Sequence, residues 1–448
     1  MRLASRRSPA QFLIAGVVGL IAVGTLLLWL PVSAARTPLS LLDALFTSTS
    51  AVCVTGLIVV DTPVDLSLFG QIVVLLLIQA GGLGYMTITT VVAVALGRQL
   101  TVHERLTLQE ALNVQSMEGL IRFALTVLKL TLILELAGAA VLAARWFGEM
   151  GAARAVYFGL FHSVSAFNNA GFALFSDSLM RYRGDWVVNL VVCALLISGG
   201  LGFVVLTELG RFRRGRRLSV HTRLVLTLTV LLIAGATLLI LVLEHRNPRT
   251  LGGLGAGEAL LAAFFQAVAP RTAGFNTIDI GAMLPASLFV VMILMFIGAA
   301  PGGTGGGVKV TTFAITVAAL WATVRGVSEP TVFKRRLPPP VVARAFLISL
   351  ISFLALNGIA ALLLATERRE LLHTLFETTS AFGTVGLSMG ERGSSLSLAG
   401  HFSGLGKLLV IAMMVMGRVG PLTLAVAVAR GGAAPPRIRY PECKVLVG

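Results

Sequence analysis

Long apolar runs alternate with short, polar-flanked ones along the whole chain. Runs that reach the about 20 residues needed for a helix to cross a bilayer lie at 10–31, 70–97, 123–144, 186–209, 222–244, 284–324, 341–365 and 403–429. Between the members of each pair sits a shorter, mildly apolar piece: 38–50, 153–166, 257–269 and 369–381. Each is roughly three helical turns long, half of what crossing requires. The pattern predicts an all-α membrane protein of eight transmembrane helices and four re-entrant half-helices. Only the run at 284–324 carries an interruption.

The short pieces repeat. Aligned on one glycine, they read FTSTSAVCVTGL, FHSVSAFNNAGF, FFQAVAPRTAGF and FETTSAFGTVGL. Gly56, Gly171, Gly274 and Gly386 share a column, separated by 115, 103 and 112 residues. Phe46, Phe161, Phe264 and Phe376 stand ten residues earlier, and Ala51, Ala166, Ala269 and Ala381 five earlier. The chain thus divides into four pseudo-symmetric units at 10–97, 123–210, 222–324 and 341–430, followed by a cytoplasmic tail at 431–448. Irregular backbone at membrane depth survives only inside protein or along a water-filled cavity. Four such loops around an axis create that cavity. Glycine supplies backbone conformations barred to other residues, and inward carbonyls replace an ion's hydration shell. Half-helix C-termini, each carrying about half a negative charge, favour a cation. The expected filter is Cys53, Val54, Thr55 and Gly56; Asn168, Asn169, Ala170 and Gly171; Arg271, Thr272, Ala273 and Gly274; and Gly383, Thr384, Val385 and Gly386. Helix packing by small residues is the plainer role for most of the 48 glycines.

Composition and charge sharpen the membrane assignment. The chain has 448 residues, 56% hydrophobic and 12% charged, with a mean hydropathy of +0.90. No soluble domain wets such a surface. The net charge of +16 sits in short loops and reads as a topology signal rather than a nucleic-acid surface. On the predicted topology, 21 of the 36 Lys and Arg residues fall on one side. The positive-inside bias places both termini in the cytoplasm of a plasma-membrane protein. Three cysteines, Cys53, Cys193 and Cys443, imply no disulfide framework.

With these residues in place, the chain resembles the KtrB/TrkH/HKT superfamily of potassium transporters over nearly its whole length. TSAVCVTGL, SAFNNAGF, RTAGFNT and SAFGTVGL are similar to that family's four pore loops. APGGTGGGVKVTT at 300–312 is similar to its gating loop, and MGRVGPLTLA to its fourth inner helix. The resemblance implies potassium uptake through one pore per subunit of a homodimer, often in a sodium-dependent way. It also implies a cytosolic, nucleotide-binding, KtrA-like regulatory ring. Arg271 stands where Cys53, Asn168 and Gly383 stand elsewhere, which leaves the strictness of sodium exclusion open.

Candidate gating residues follow. Gly298–Gly307 contains six glycines; at about 1 kcal/mol each against alanine, the stretch does not stay helical. Gly302, Gly303, Thr304, Gly305, Gly306, Gly307 and Lys309 form the expected gate. Arg418, an intramembrane charge, is either an electrostatic barrier below the filter or a structural group satisfying carbonyls. Lys309 either neutralises carbonyls or pairs with an acid. Val308-Lys309-Val310 lacks the Gly-Lys-Ser/Thr of a phosphate-binding loop, so no nucleotide site is expected on this chain. Glu135 and Glu377 are possible cation ligands, and His162 is expected to be a satisfied hydrogen-bonding residue. An intramembrane enzyme built on Cys53 or Ser50 with His162 is not expected, because no acid orients the histidine. The competing readings are a TrkH-like or sodium-permeable channel and, more distantly, a secondary solute transporter.

Overall fold

The computed structural model describes residues 9–84, 119–212, 217–327, 329–391 and 394–428, with Thr87, Leu106, Leu108 and Gln109 between. The tail at 431–448, most of the loop at 98–122 and the rest of the run at 70–97 lie outside the described residues.

Among the described residues four helices are long and apolar enough to cross a membrane: α1 (Pro9–Trp29), α4 (Leu120–Met150), α8 (Val220–Glu244) and α12 (Pro339–Glu367). Their outer faces carry exposed residues such as Val23, Leu26, Ile133, Leu136, Val230, Leu238, Phe353 and Leu354, the surface that lipid requires. The chain is a membrane protein. Each long helix is followed by a short one: α2 (Leu41–Val52), α5 (Ala152–Phe167), α9 (Ala256–Val268) and α13 (Leu371–Gly383). At 12, 16, 13 and 13 residues they occupy the places expected of the half-helices. They are buried, with Phe46, Phe161, Phe265 and Phe376 fully enclosed.

The helices after them differ from expectation. They are α3 (Leu68–Leu83), α6 (Trp186–Leu201) with α7 (Phe203–Phe212), α10 (Pro285–Phe296) with α11 (Val310–Val324), and α14 (Gly404–Val419) with α15 (Pro421–Val428). Their starts are local. Ser67, Asp185 and Ser403 accept from backbone N–H groups of the first turn, and Pro285 occupies a position where no N–H is needed. The runs at 186–209 and 403–429 are broken rather than continuous. Gly84, Gly202 and Gly420 end α3, α6 and α14 at φ 76°, 87° and 93°. In the second unit the two helical pieces bend by 104°. The motifs Gly81-Gly82-Leu83-Gly84, Gly199-Gly200-Leu201-Gly202 and Gly417-Arg418-Val419-Gly420 stand at matching places, and left-handed backbone at the last glycine stops the helix. The all-helical expectation also needs one amendment: Thr331–Val332 pairs with Arg335–Arg336 in a small hairpin, turned by Phe333 and Lys334 at positive φ.

Carboxylates lock the corners between the long helices and the inner ones. Glu244, fully buried, accepts from Asn247 Nδ2 at 2.7 Å, Thr250 Oγ1 at 2.5 Å and Leu284 N at 2.8 Å. Glu367 likewise accepts from Ser403 N at 2.9 Å and Oγ at 2.5 Å. Each ties the end of a long helix to the start of the inner one. Glu244→Ala strands three donors and is expected to lower stability by about 2–4 kcal/mol. Chemical unfolding in detergent measures this, and an unchanged midpoint would show the clamp to be idle.

Candidate functional site

The segments that follow the half-helices adopt one unusual backbone. Val54, Asn169, Thr272 and Thr384 have φ of 52°, 58°, 68° and 49°, and Gly56, Gly171, Gly274 and Gly386 have 88°, 72°, 74° and 91°. Three of the four non-glycine residues are β-branched, for which the left-handed region is a genuine outlier. Such strain persists only where the surroundings over-determine it, and it clusters at functional sites.

Hydrogen bonds hold the turns. Thr55, Ala170 and Val385 donate their N–H to the carbonyls of Ser50, Ser165 and Ser380, at 2.8, 2.8 and 2.9 Å. Gly56 N and Gly386 N donate to the Oγ of Ser50 and Ser380. The third segment departs from this. Ala273 N reaches Ala269 O, four residues back instead of five, so this segment is one residue shorter. The buried aromatic equivalent to Phe46, Phe161 and Phe376 is therefore Phe265, not Phe264, and Ala269 corresponds to Ser50. Pro270 marks the shortening in the sequence.

The four glycines meet. A Cβ built on Gly56 would lie 2.5 Å from Ala170 O, and one on Gly171 would lie 2.8 Å from Gly274 Cα. One on Gly274 would lie 2.6 Å from Val385 O, and one on Gly386 would collide with Thr55 O. The contacts close a ring: 56 to 171, 171 to 274, 274 to 386, 386 to 56. The carbonyl before each glycine faces the neighbouring segment. Above the ring lies a 170 Å³ cavity whose floor is the four glycines and whose walls include Asp61, Asp177 and Asp279. Among the described residues no Lys or Arg lines it.

The columns around the ring have separate duties. The second glycine-pair column packs the inner helices onto the half-helix ends: Gly81 meets Val52 O, Gly199 meets Phe167 O and Gly417 meets Phe382 O, each too close for a Cβ. A polar column inside the half-helices, Thr47, His162, Gln266 and Glu377, was not recognisable as a column before the one-residue offset was known. In two segments it ties down the chain beyond the ring. His162 Nε2 accepts from Leu174 N at 3.2 Å, and Glu377 accepts from Ser388 Oγ at 2.6 Å and Ala399 N at 2.9 Å. His162 also shares its Nδ1 with Phe158 O, which fits a satisfied structural histidine. No His, Cys, Asp and Glu cluster able to hold a metal occurs among the described residues.

The expected gate residues lie directly beneath the ring. Residues 297–309 form a loop closed at its base by the Ile297–Val308 bridge. Its backbone replaces helical hydrogen bonds with bonds to its neighbours. Ala300 N donates to Gly200 O at 2.9 Å, Thr304 N to Gly199 O at 3.2 Å, and Gly307 N to Gly417 O at 3.2 Å, while Gly302 O accepts from Phe203 N. Three bonds or contacts reach the ring segments themselves. Thr304 Oγ1 donates to Asn169 Oδ1 at 2.9 Å, Gly306 N donates to Thr384 Oγ1 at 2.9 Å, and a Cβ on Gly305 would strike Thr272 Oγ1. Gly302 and Gly307 have φ of 70° and 69°, which only glycine adopts without strain. Gly303 lies against the carbonyls of Gly199 and Ala300. Lys309 Nζ donates to Gly305 O at 2.6 Å, the carbonyl-neutralising role rather than an acid pair. Arg418 donates to Thr304 O in the loop and to Gly81 O and Gly82 O at the end of α3. It thereby staples the loop to the first unit, which the loop does not otherwise bond among the described residues.

The glycine and the preceding residue of each expected segment meet their neighbours, while the first residues of the segments differ in orientation. Cys53 is enclosed. Asn168 turns away from the ring, against Gly82. Gly383 backs onto Met295 O and the loop's Gly307. Arg271, 8% exposed, has an Nη1 with no partner among the described residues.

Residues 5–431 match the TrkH family model, described as a cation transport protein. The chain is 42% identical over 444 residues to the Ktr system potassium uptake protein B of Bacillus subtilis, covering 99% of this chain and 97% of the relative. It is 36% identical over 454 residues to the potassium/sodium uptake protein NtpJ of Enterococcus hirae, covering 100% and 99%. Its fold is similar to the crystal structure of the potassium transporter TrkH from Vibrio parahaemolyticus, with a TM-score of 0.76, 20% identity, and 96% and 87% of the two chains covered. The glycine ring, the loop beneath it and a family match spanning nearly the whole chain lead to one assignment: this chain belongs to the TrkH family of cation transport proteins.

Proposed function

We propose that this chain carries potassium across the plasma membrane through the four-segment ring, with the 297–309 loop and Arg418 as its gate. The observation that carries the reading is the ring itself. Four strained left-handed residues, each followed two positions later by a left-handed glycine, bring four carbonyl-bearing segments within contact of one another. Carbonyl dipoles in that arrangement substitute for ion hydration, and the half-helices' negative C-terminal ends point the same way. The relatives named as potassium uptake proteins support the choice of ion. No catalytic role is proposed, in keeping with a family of transporters.

Sodium enters the proposal as a second cation. One segment is a residue short and carries Arg271, so the ring is not four-fold regular, and a relative is named for both potassium and sodium. In this reading eight transmembrane passes in four units surround one pore, both termini face the cytoplasm, and two copies associate. A cytosolic, KtrA-like nucleotide-binding ring supplies control that this chain has no motif to supply itself, consistent with relatives named as parts of a Ktr system.

Expression in a host lacking its own potassium uptake tests the reading. Rubidium uptake is expected with the chain present, saturable and competed by potassium more strongly than by sodium, and measured with and without external sodium. Growth at low potassium without rubidium entry, or entry of sodium alone, would overturn the potassium assignment.

A further inference from the structure

We infer that Glu135 is a positioning residue for cation selectivity, acting on the second ring segment through Asn168. The inference rests on the ring being the cation path. Glu135 lies midway along α4 and is 3% exposed. Its Oε1 accepts from Asn168 Nδ2 at 2.9 Å and its Oε2 from Gln79 Nε2 at 3.2 Å. Asn168 Nδ2 also donates to Gln79 Oε1 at 2.9 Å and to Val164 O at 2.9 Å. Three elements therefore share one buried knot: α3 of the first unit, α4 of the second, and the ring segment that begins at Asn168. The carboxylate's backbone is fixed as well, since Ser163 Oγ donates to Glu135 O at 2.6 Å.

The chemistry of the knot calls for a carboxylate. Two amide NH2 groups point at it, and each carboxyl oxygen accepts from one of them. Glutamine would set an NH2 against one of those donors. No Lys or Arg forms a salt bridge with Glu135 among the described residues. Asn168 directly precedes Asn169, whose φ is 58°, and stands two residues before Ala170, whose carbonyl faces Gly56. Fixing the Asn168 side chain thus fixes the start of the segment that presents this carbonyl. Glu377 does not duplicate the arrangement, because Ser388 and Ala399 beyond the ring engage its oxygens.

The test compares rubidium and sodium uptake for wild type, Glu135→Gln, Glu135→Asp and Gln79→Leu, each normalised to folded protein recovered in detergent. Setting an NH2 against a buried amide donor predicts that Glu135→Gln lowers the rubidium-over-sodium preference about tenfold, with Glu135→Asp retaining most of it. Gln79→Leu is expected to shift the preference the same way by a few-fold, and it decides the matter if Glu135→Gln does not fold. A selective wild type with an equally selective Glu135→Gln, or with equally selective Gln79→Leu where the former is lost, overturns the inference alone. A wild type that carries neither ion overturns the transport reading and this one with it.

Discussion

Gly56→Ser is expected to cut rubidium uptake by about tenfold or more and to erase most of the preference for rubidium over sodium. Gly56 holds φ at 88°, where an L side chain costs about 1–2 kcal/mol. Its new Cβ would also press on Ala170 O at 2.5 Å, and that carbonyl belongs to the neighbouring segment. The collision cannot be relieved by rotating a flexible side chain, because both partners are backbone. Either the first segment backs away from the ring or the second does, and one set of carbonyls leaves its place. About 1.4 kcal/mol of differential effect is already tenfold. Paired rubidium and sodium uptake, scaled to membrane protein, reads the result; an unchanged ratio would place Gly56 off the ion's route.

Arg418→Met is expected to do the opposite, raising basal rubidium flux by about tenfold in the absence of any regulatory partner. The guanidinium joins Thr304 O in the loop to the Gly81 and Gly82 carbonyls at the end of α3. Each bond to a charged donor is worth about 1.5–3 kcal/mol, so losing all three shifts a closed-open equilibrium strongly. Methionine keeps length and apolar bulk, leaving the packing largely as it was. The loop would still hold its bonds to Gly199, Gly200 and Gly417, so the expected outcome is a looser gate rather than a collapsed one. Efflux from rubidium-loaded liposomes separates the two cases. Unchanged or reduced efflux would leave Arg418 with a purely structural duty.

Much of this architecture was legible because membranes make length informative. A 12-residue apolar helix such as Leu41–Val52 cannot cross, and its polar end cannot face lipid, so its place inside the protein follows from the residues alone. The shared glycine column was legible for a similar reason, since left-handed backbone has few tolerant occupants. The breaks at Gly202 and Gly420 were not. Their flanks are as apolar as any continuous span, and hydropathy does not register a single dihedral angle. The repeated Gly-x-x-Gly arrangement ending at Gly84, Gly202 and Gly420 was the available signal. The offset in the third segment was also hidden, because adjacent Phe264 and Phe265 let an ungapped alignment look correct. The Gln79, Glu135 and Asn168 knot joins residues up to 89 positions apart, and no periodicity links them.

The short third segment has an evolutionary consequence. A channel assembled from four identical subunits receives every change in four copies at once, so a mild alteration at the ion's path is multiplied into a severe one. Here each quadrant is encoded separately. A single codon can therefore adjust one wall of the ring while three stay untouched, and the segment around Arg271, one residue shorter than its three counterparts, is a wall that already differs from the rest.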